Sequence, residues 1–171
     1  HHDGLRAFDA EGKELWAHED FNNAGGYGCR AAVDRERGRV YVCEDVTNRI
    51  TAFDLAGGKR WKIDNVEVDT LLVDPRTGNL WCSGGMLLNA GHTVVFDQDG
   101  NELAAYPWRA LGMTYDPHTG SFWLAGYEIL KLSRDGEVLF REPVDGWCCG
   151  AVAVNPENGH LWIAERRHPD V

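Results

Sequence analysis

Apolar runs of four or five residues, separated by clusters of Asp, Asn, Gly and Pro, follow one another along the whole chain. None extends into the 3.6-residue period of an amphipathic helix. One unit recurs four times: AVDRERGRVYV, LVDPRTGNLWC, TYDPHTGSFWL and AVNPENGHLWI. Its anchors Asp34, Asp74, Asp116 and Asn155 are spaced by 40, 42 and 39 residues. A glycine follows each anchor by four residues, at Gly38, Gly78, Gly120 and Gly159. Three residues further on comes an aromatic: Tyr41, Trp81, Trp123 or Trp162. A second unit interleaves with the first: RAFDAEGKEL, TAFDLAGGKR, VVFDQDGNEL and LKLSRDGEVL. Both units have the composition of two strands joined by a tight turn, with Asx and Gly supplying the turn chemistry between β-forming residues.

Each repeat therefore holds four short strands, A to D, exemplified by Arg30–Val33, Arg39–Cys43, Ile50–Phe53 and Lys59–Ile63. Four antiparallel strands in about 40 residues is the size of a β-propeller blade. Strand B, with runs such as VYVC and LWCS, is expected to be packed on both faces, its Trp or Tyr lying between blades. The fold expected is all-β, a propeller of about four blades occupying residues 1–171, either as a single domain or as a segment of a larger one. The chain opens on strands C and D (Leu5–Phe8, Lys13–Ala17) and closes on A and B, ending near Ala164. That makes three complete blades and two complementary half-blades. A protein partner or a second copy is expected to complete the ring.

The stretch AVDRERGRVYVCEDVTNRITAFDLAG resembles an NHL repeat, including the Asn48-Arg49-Ile50 step into strand C. The DPxTGxLW form of later repeats is similar to the wider group of six-bladed propellers that includes the gluconolactonase-like and streptogramin-lyase-like enzymes. The resemblance spans nearly the whole chain and implies a fold far more than an activity, since such blades serve many functions.

In an A–B–C–D blade the A–B and C–D turns lie on one face of the disc, and the B–C and D–A connections on the other. The first set is short and uniform in this sequence; the second varies from repeat to repeat. Recognition usually resides in variable loops carried by a rigid scaffold. Candidate binding residues on that face are Tyr27, Arg30, Glu44, Asp45, Asp69, His92, Arg109, Tyr127, Asp145 and Trp147. The leading expectation is a non-enzymatic recognition or scaffolding module holding a protein or glycan partner there. The alternative is a metal-dependent hydrolase or lyase of the lactonase-like class, with a divalent cation at the channel.

Composition narrows the partners. The net charge is −10 and the 17 basic residues are scattered, which disfavours nucleic acid and anionic membrane surfaces. The densest basic group, Arg166-Arg167-His168, stands beside Glu165. No apolar run approaches the ~20 residues that a membrane-spanning helix requires. His1-His2-Asp3 has neither the basic nor the apolar part of a signal peptide.

No catalytic motif of real specificity occurs, so no catalytic residue, metal ligand or cofactor is assigned. Asp97-Gln98-Asp99-Gly100 looks like the start of a calcium loop, but it aligns with Asp9–Gly12 and Asp54–Gly57 and is expected to be a hairpin turn. At the channel-facing starts of strand A stand Arg30, Thr70, Gly112 and Ala151, a poor cradle for a cation. The alternative rests on Glu44 or His92. The five cysteines, Cys29, Cys43, Cys82, Cys148 and Cys149, all fall at A-strand starts or B-strand ends, hence toward the variable face. Small buried thiols, a Cys29–Cys43 bridge requiring an oxidising compartment, or a metal or redox centre are the alternatives.

Overall fold

The computed structural model describes residues 4–19, 30–44, 47–84, 92–144 and 147–166, with the backbone alone for 147–149 and 165–166. These residues form sixteen β-strands in sheets of antiparallel strands, an all-β architecture. Three sheets have four strands each: β3–β6 (Arg30–Asp34, Arg39–Glu44, Arg49–Asp54, Lys59–Asp64), β7–β10 (Thr70–Val73, Leu80–Ser83, Thr93–Phe96, Glu102–Tyr106) and β11–β14 (Ala110–Asp116, Ser121–Gly126, Glu128–Leu132, Val138–Pro143). Two sheets have two strands each: β1–β2 (Leu5–Phe8, Glu14–His18) and β15–β16 (Trp147–Val154, Leu161–Arg166). The strands thus match the A-to-D units within a residue or two at their ends.

The sheets lie against one another in chain order. Their first strands β3, β7, β11 and β15 are neighbours, and β1–β2 packs on the outer side of β3–β6 through Leu5, Val40, Val42 and Phe53. The described sheets do not close on themselves. Two cores fill the gaps between complete sheets. Tyr41, Ile50 and Ala52 meet Leu80, Cys82 and Phe96 in one; Trp81 and Val95 meet Phe122, Leu124 and Leu130 in the other. Burial on both sides explains why β4, β8 and β9 are apolar or small at successive positions instead of alternating.

The turns are built as their residues require. Gly38, Gly78, Gly120 and Gly159 all have positive φ, between 63° and 77°, and each N–H of Gly78, Gly120 and Gly159 donates to the carbonyl of its anchor residue. Asp97 Oδ1 accepts from the N–H groups of Asp99 and Asn101, both at 2.8 Å, so the calcium-like segment is a hairpin turn held by its own aspartate.

The anchors do more than shape turns. Asp34, Asp74 and Asp116 are buried, and each carries an ion pair. Asp74 Oδ2 accepts from Arg134 Nε at 2.7 Å, a bond between neighbouring sheets, and Asp116 Oδ2 from Lys131 Nζ at 2.9 Å. Arg37 pairs with Asp34 and reaches across to the Pro75 and Arg76 carbonyls of the next sheet, the latter at 2.6 Å. His118 Nε2 lies 2.7 Å from the Pro156 carbonyl, a similar link one sheet further along. Among the described residues no helix is long and apolar enough to cross a membrane.

Candidate functional site

The B–C connections leave the ends of strands β4, β8 and β12, and the D–A connections enter β3, β7, β11 and β15. The strand ends themselves decide how close these connections can pass. A Cβ on Gly84 would collide with the Glu67 carbonyl, and one on Gly126 would stand 2.5 Å from the Arg109 carbonyl. Gly126 ends β12 and Gly84 directly follows β8, each ten residues after its anchor, so the D–A connection lies directly over them. At the matching place in the first complete sheet stands Glu44.

Three of the expected residues come together across successive sheets. Arg30, at the start of β3, donates from Nε to the Asp69 carbonyl at 2.8 Å. Asp69, just before β7, accepts on Oδ2 from Arg109 Nε (3.0 Å) and Nη2 (2.8 Å). Arg109, just before β11, has Tyr127 and Glu67 as its next electrostatic neighbours. Burial works against the Arg109 charge, but the hydrogen bonds and charge of Asp69 outweigh it, and its pKa is raised above the usual arginine value. The result is a line in which the Arg30 guanidinium holds the Asp69 main-chain carbonyl and the Arg109 guanidinium holds the Asp69 carboxylate, with the exposed Tyr127 beside Arg109. Planar N–H forks of this kind suit carboxylates, amide oxygens and clustered hydroxyls.

Glu44 and His92 sit apart from that line. Glu44 is buried and turns back into its own sheet, accepting from Thr47 Oγ1 at 3.1 Å and Thr51 Oγ1 at 3.5 Å, with Arg49 Nη1 at 3.9 Å. His92 holds its connection by backbone, its N–H donating to the Tyr106 carbonyl and its own carbonyl accepting from Gly84 N–H. Its Nδ1 is buried without a hydrogen-bond partner among the described residues. Trp147 opens β15, but its side chain, together with Tyr27, Asp45 and Asp145, lies outside the described residues.

Ser83 and Thr93 were not singled out by sequence and proved to organise this end of the molecule. Ser83 Oγ donates to the His92 carbonyl (2.8 Å) and accepts from Ala110 N–H (2.7 Å). Thr93 Oγ1 donates to the Trp108 carbonyl at 2.6 Å and stands 2.9 Å from Ser83 Oγ. Both are buried, and together they tie two connections to the second complete sheet. A small hydroxyl at the end of an apolar run carries no sequence signal of such a role.

Of the cysteines, Cys43 and Cys82 stand one residue before the ends of β4 and β8 and are buried in one core. Cys43 Sγ lies 3.9 Å from the Val68 carbonyl, and Cys82 is a free thiol. Cys29 and the side chains of Cys148 and Cys149, and with them the Cys29–Cys43 bridge, lie outside the described residues. Among the described residues no three of His, Cys, Asp and Glu gather as a metal-holding group.

Neither a protein-family model nor a curated protein sequence matches the chain. The fold itself recurs among solved structures. One is the crystal structure of a protein of unknown function from Bacteroides caccae, 17% identical with a TM-score of 0.61. The match covers 95% of this chain and spans 64% of that one. At that identity the likeness concerns the fold alone.

Proposed function

We propose that the chain is part of an NHL-type β-propeller, within the wider lactonase-like and streptogramin-lyase-like group, and that it serves recognition or scaffolding. The propeller reading is supported by the four-stranded sheets at repeats of about 40 residues, laid first strand to first strand. The partner, a protein or a glycan, binds across the B–C/D–A face. One observation carries this reading. Arg30, Asp69 and Arg109 come from three successive repeats and meet in one hydrogen-bonded line on the variable face. The opposite face is made of uniform Asx–Gly turns bonded to themselves and to one another. A rigid line of forked donors beside an exposed tyrosine offers orientation without a nucleophile–base pair.

A glycan array together with an immobilised-peptide library tests it, with wild type compared against Arg109→Ala and Tyr127→Ala. The expected result is a specific binder whose affinity falls at least about tenfold in both variants, as central interface residues do. Binding untouched by either substitution refutes the placement. Stoichiometric divalent metal in the purified protein, coupled to lactone hydrolysis or elimination, would replace recognition by the enzymatic alternative.

A further inference from the structure

The repeat breaks its own pattern at one place in the first complete sheet. Residues opposite each other on neighbouring strands share a side of the sheet. Val42, Thr51 and Lys62 form one such row, and Glu44, Arg49 and Asp64 form the next. The equivalents of the first row in the second sheet are Cys82, Val94 and Ala105, with Gly84 in the place of Glu44. In the third sheet they are Leu124, Leu130 and Arg141, with Gly126 in that place. Val94 and Leu130 are core residues, 0% and 3% exposed. Thr51 is equally buried but polar, and it lies beside a buried carboxylate.

That carboxylate is loosely held. Thr47 Oγ1 donates to Glu44 Oε2 at 3.1 Å, but Oε1 has only Thr51 Oγ1 at 3.5 Å and Arg49 Nη1 at 3.9 Å. The shorter bond of Arg49 goes from Nε to Asp64 Oδ1, at 2.6 Å. Taking a carboxylate out of water on such terms works against folding, and the sister sheets fill the place with glycine and apolar side chains instead. A local loss of stability within an otherwise consistent repeat marks a functional place.

The same residues line a pocket of about 170 Å³, open to solvent. That is room for a molecule of about benzene's size. Buried Glu44 and Thr51 form its inner wall, and Arg60 and Lys62, with side chains 50% and 60% exposed, stand at its mouth. The two ends are opposite in character. The Glu44 carboxylate only accepts hydrogen bonds, whereas the guanidinium and ammonium at the mouth only donate them. Arg60 and Lys62 pair with Asp54 and Asp64 at 2.8 and 3.1 Å, but such exposed pairs are weak enough for a ligand carboxylate to share. A plain anion would meet Glu44, and a plain cation would meet Arg49, Arg60 and Lys62; a molecule bearing both charges satisfies both ends. Strands β4 and β6 lie about 9–10 Å apart, on either side of β5. Two hydrogen bonds of about 2.8 Å leave a few ångströms for the ligand, the span between the ammonium and carboxylate of an α-amino acid.

We infer that this pocket binds a small free amino acid, its ammonium on Glu44 and Thr51 and its carboxylate on Lys62 and Arg60. The ligand's ammonium supplies the donor that Glu44 Oε1 lacks at hydrogen-bond distance from any cation among the described residues. None of these residues belongs to the Arg30–Asp69–Arg109 line, so this inference and the recognition reading stand or fall separately.

The test is isothermal titration of the 171-residue chain with each of the common amino acids, with acetate and methylamine as probes carrying one charge only. At least one amino acid should bind with a dissociation constant below about 1 mM, while acetate and methylamine give no binding heat at the same concentrations. Glu44→Gln keeps the shape of the buried side chain and removes its charge; Lys62→Met removes a donor at the exposed mouth. Each should weaken binding about tenfold or more, the effect of losing a hydrogen bond to a charged group. Arg109→Ala, on the loop face, should leave this binding unchanged. Thermal melting checks that Glu44→Gln is folded, and where it is not, Lys62→Met decides. No binding across the panel overturns the inference. So does acetate or methylamine binding as tightly as any amino acid, or amino-acid binding that survives the folded variants undiminished.

Discussion

Gly38 and Gly78 hold the same turn position in adjacent sheets, yet alanine should be tolerated very differently at the two. Both have positive φ, 63° and 77°, so each substitution carries the left-handed penalty of about 1–2 kcal/mol. At Gly38 the new methyl meets only the Leu55 side chain, at 3.7 Å, which is ordinary contact. At Gly78 it would stand 2.5 Å from Arg37 Cδ and 2.8 Å from Asp34 Oδ2. Arg37 must then leave, and with it go the bonds to the Pro75 and Arg76 carbonyls and to the buried Asp34. Losing charge-assisted bonds of this kind adds about 1.5–3 kcal/mol, so Gly78→Ala should cost about 3–4 kcal/mol and Gly38→Ala about half as much. Urea unfolding followed by tryptophan fluorescence, at one fixed protein concentration, measures both. Equal costs, within about 0.5 kcal/mol, would show that Arg37 does not clasp the two sheets and that the turns are independent.

Burial alone would raise the Asp116 pKa, but Thr119, Lys131 and the His118 N–H outweigh it and hold the carboxyl at about 2, against 3.8 when unfolded. Its contribution, about 2 kcal/mol, is complete above pH ~4 and fades as pH falls toward 2; acid unfolding of Asp116→Asn should lack that component, and an identical acid profile would refute it. Ser83→Ala strands the Ala110 N–H and should cost about 1–3 kcal/mol, measured by thermal melting. Burial, with a smaller addition from Cys43, pushes the Cys82 thiol well above its ordinary pKa, so alkylation at Cys82 should wait for denaturant; fast labelling of the native chain, located by peptide mass mapping, would contradict the packing.

The strands, their turns and their register were legible in the sequence because each depends on residues close along the chain. Asp34-to-Gly38 and Asp97-to-Gly100 carry the whole chemistry of their turns, and the apolar runs of β4 and β8 announce burial on both sides. Placing Arg30, Asp69 and Arg109 on one face followed from strand order, since alternating antiparallel strands put every A start at the same end. Whether they touch did not follow. Their bonds join residues 39 and 40 positions apart, and which guanidinium reaches which oxygen is set by the offset between stacked sheets. The same holds for the burial of Asp74 and its pairing with Arg134, 60 residues away, and for Glu44, which looked available at a loop and instead turns inward to Thr47 and Thr51. Local pattern determined what each strand is and which way it faces. Only the packing of one sheet on the next decided which polar groups lost water, and a group that loses water must find its partner wherever the fold has put one.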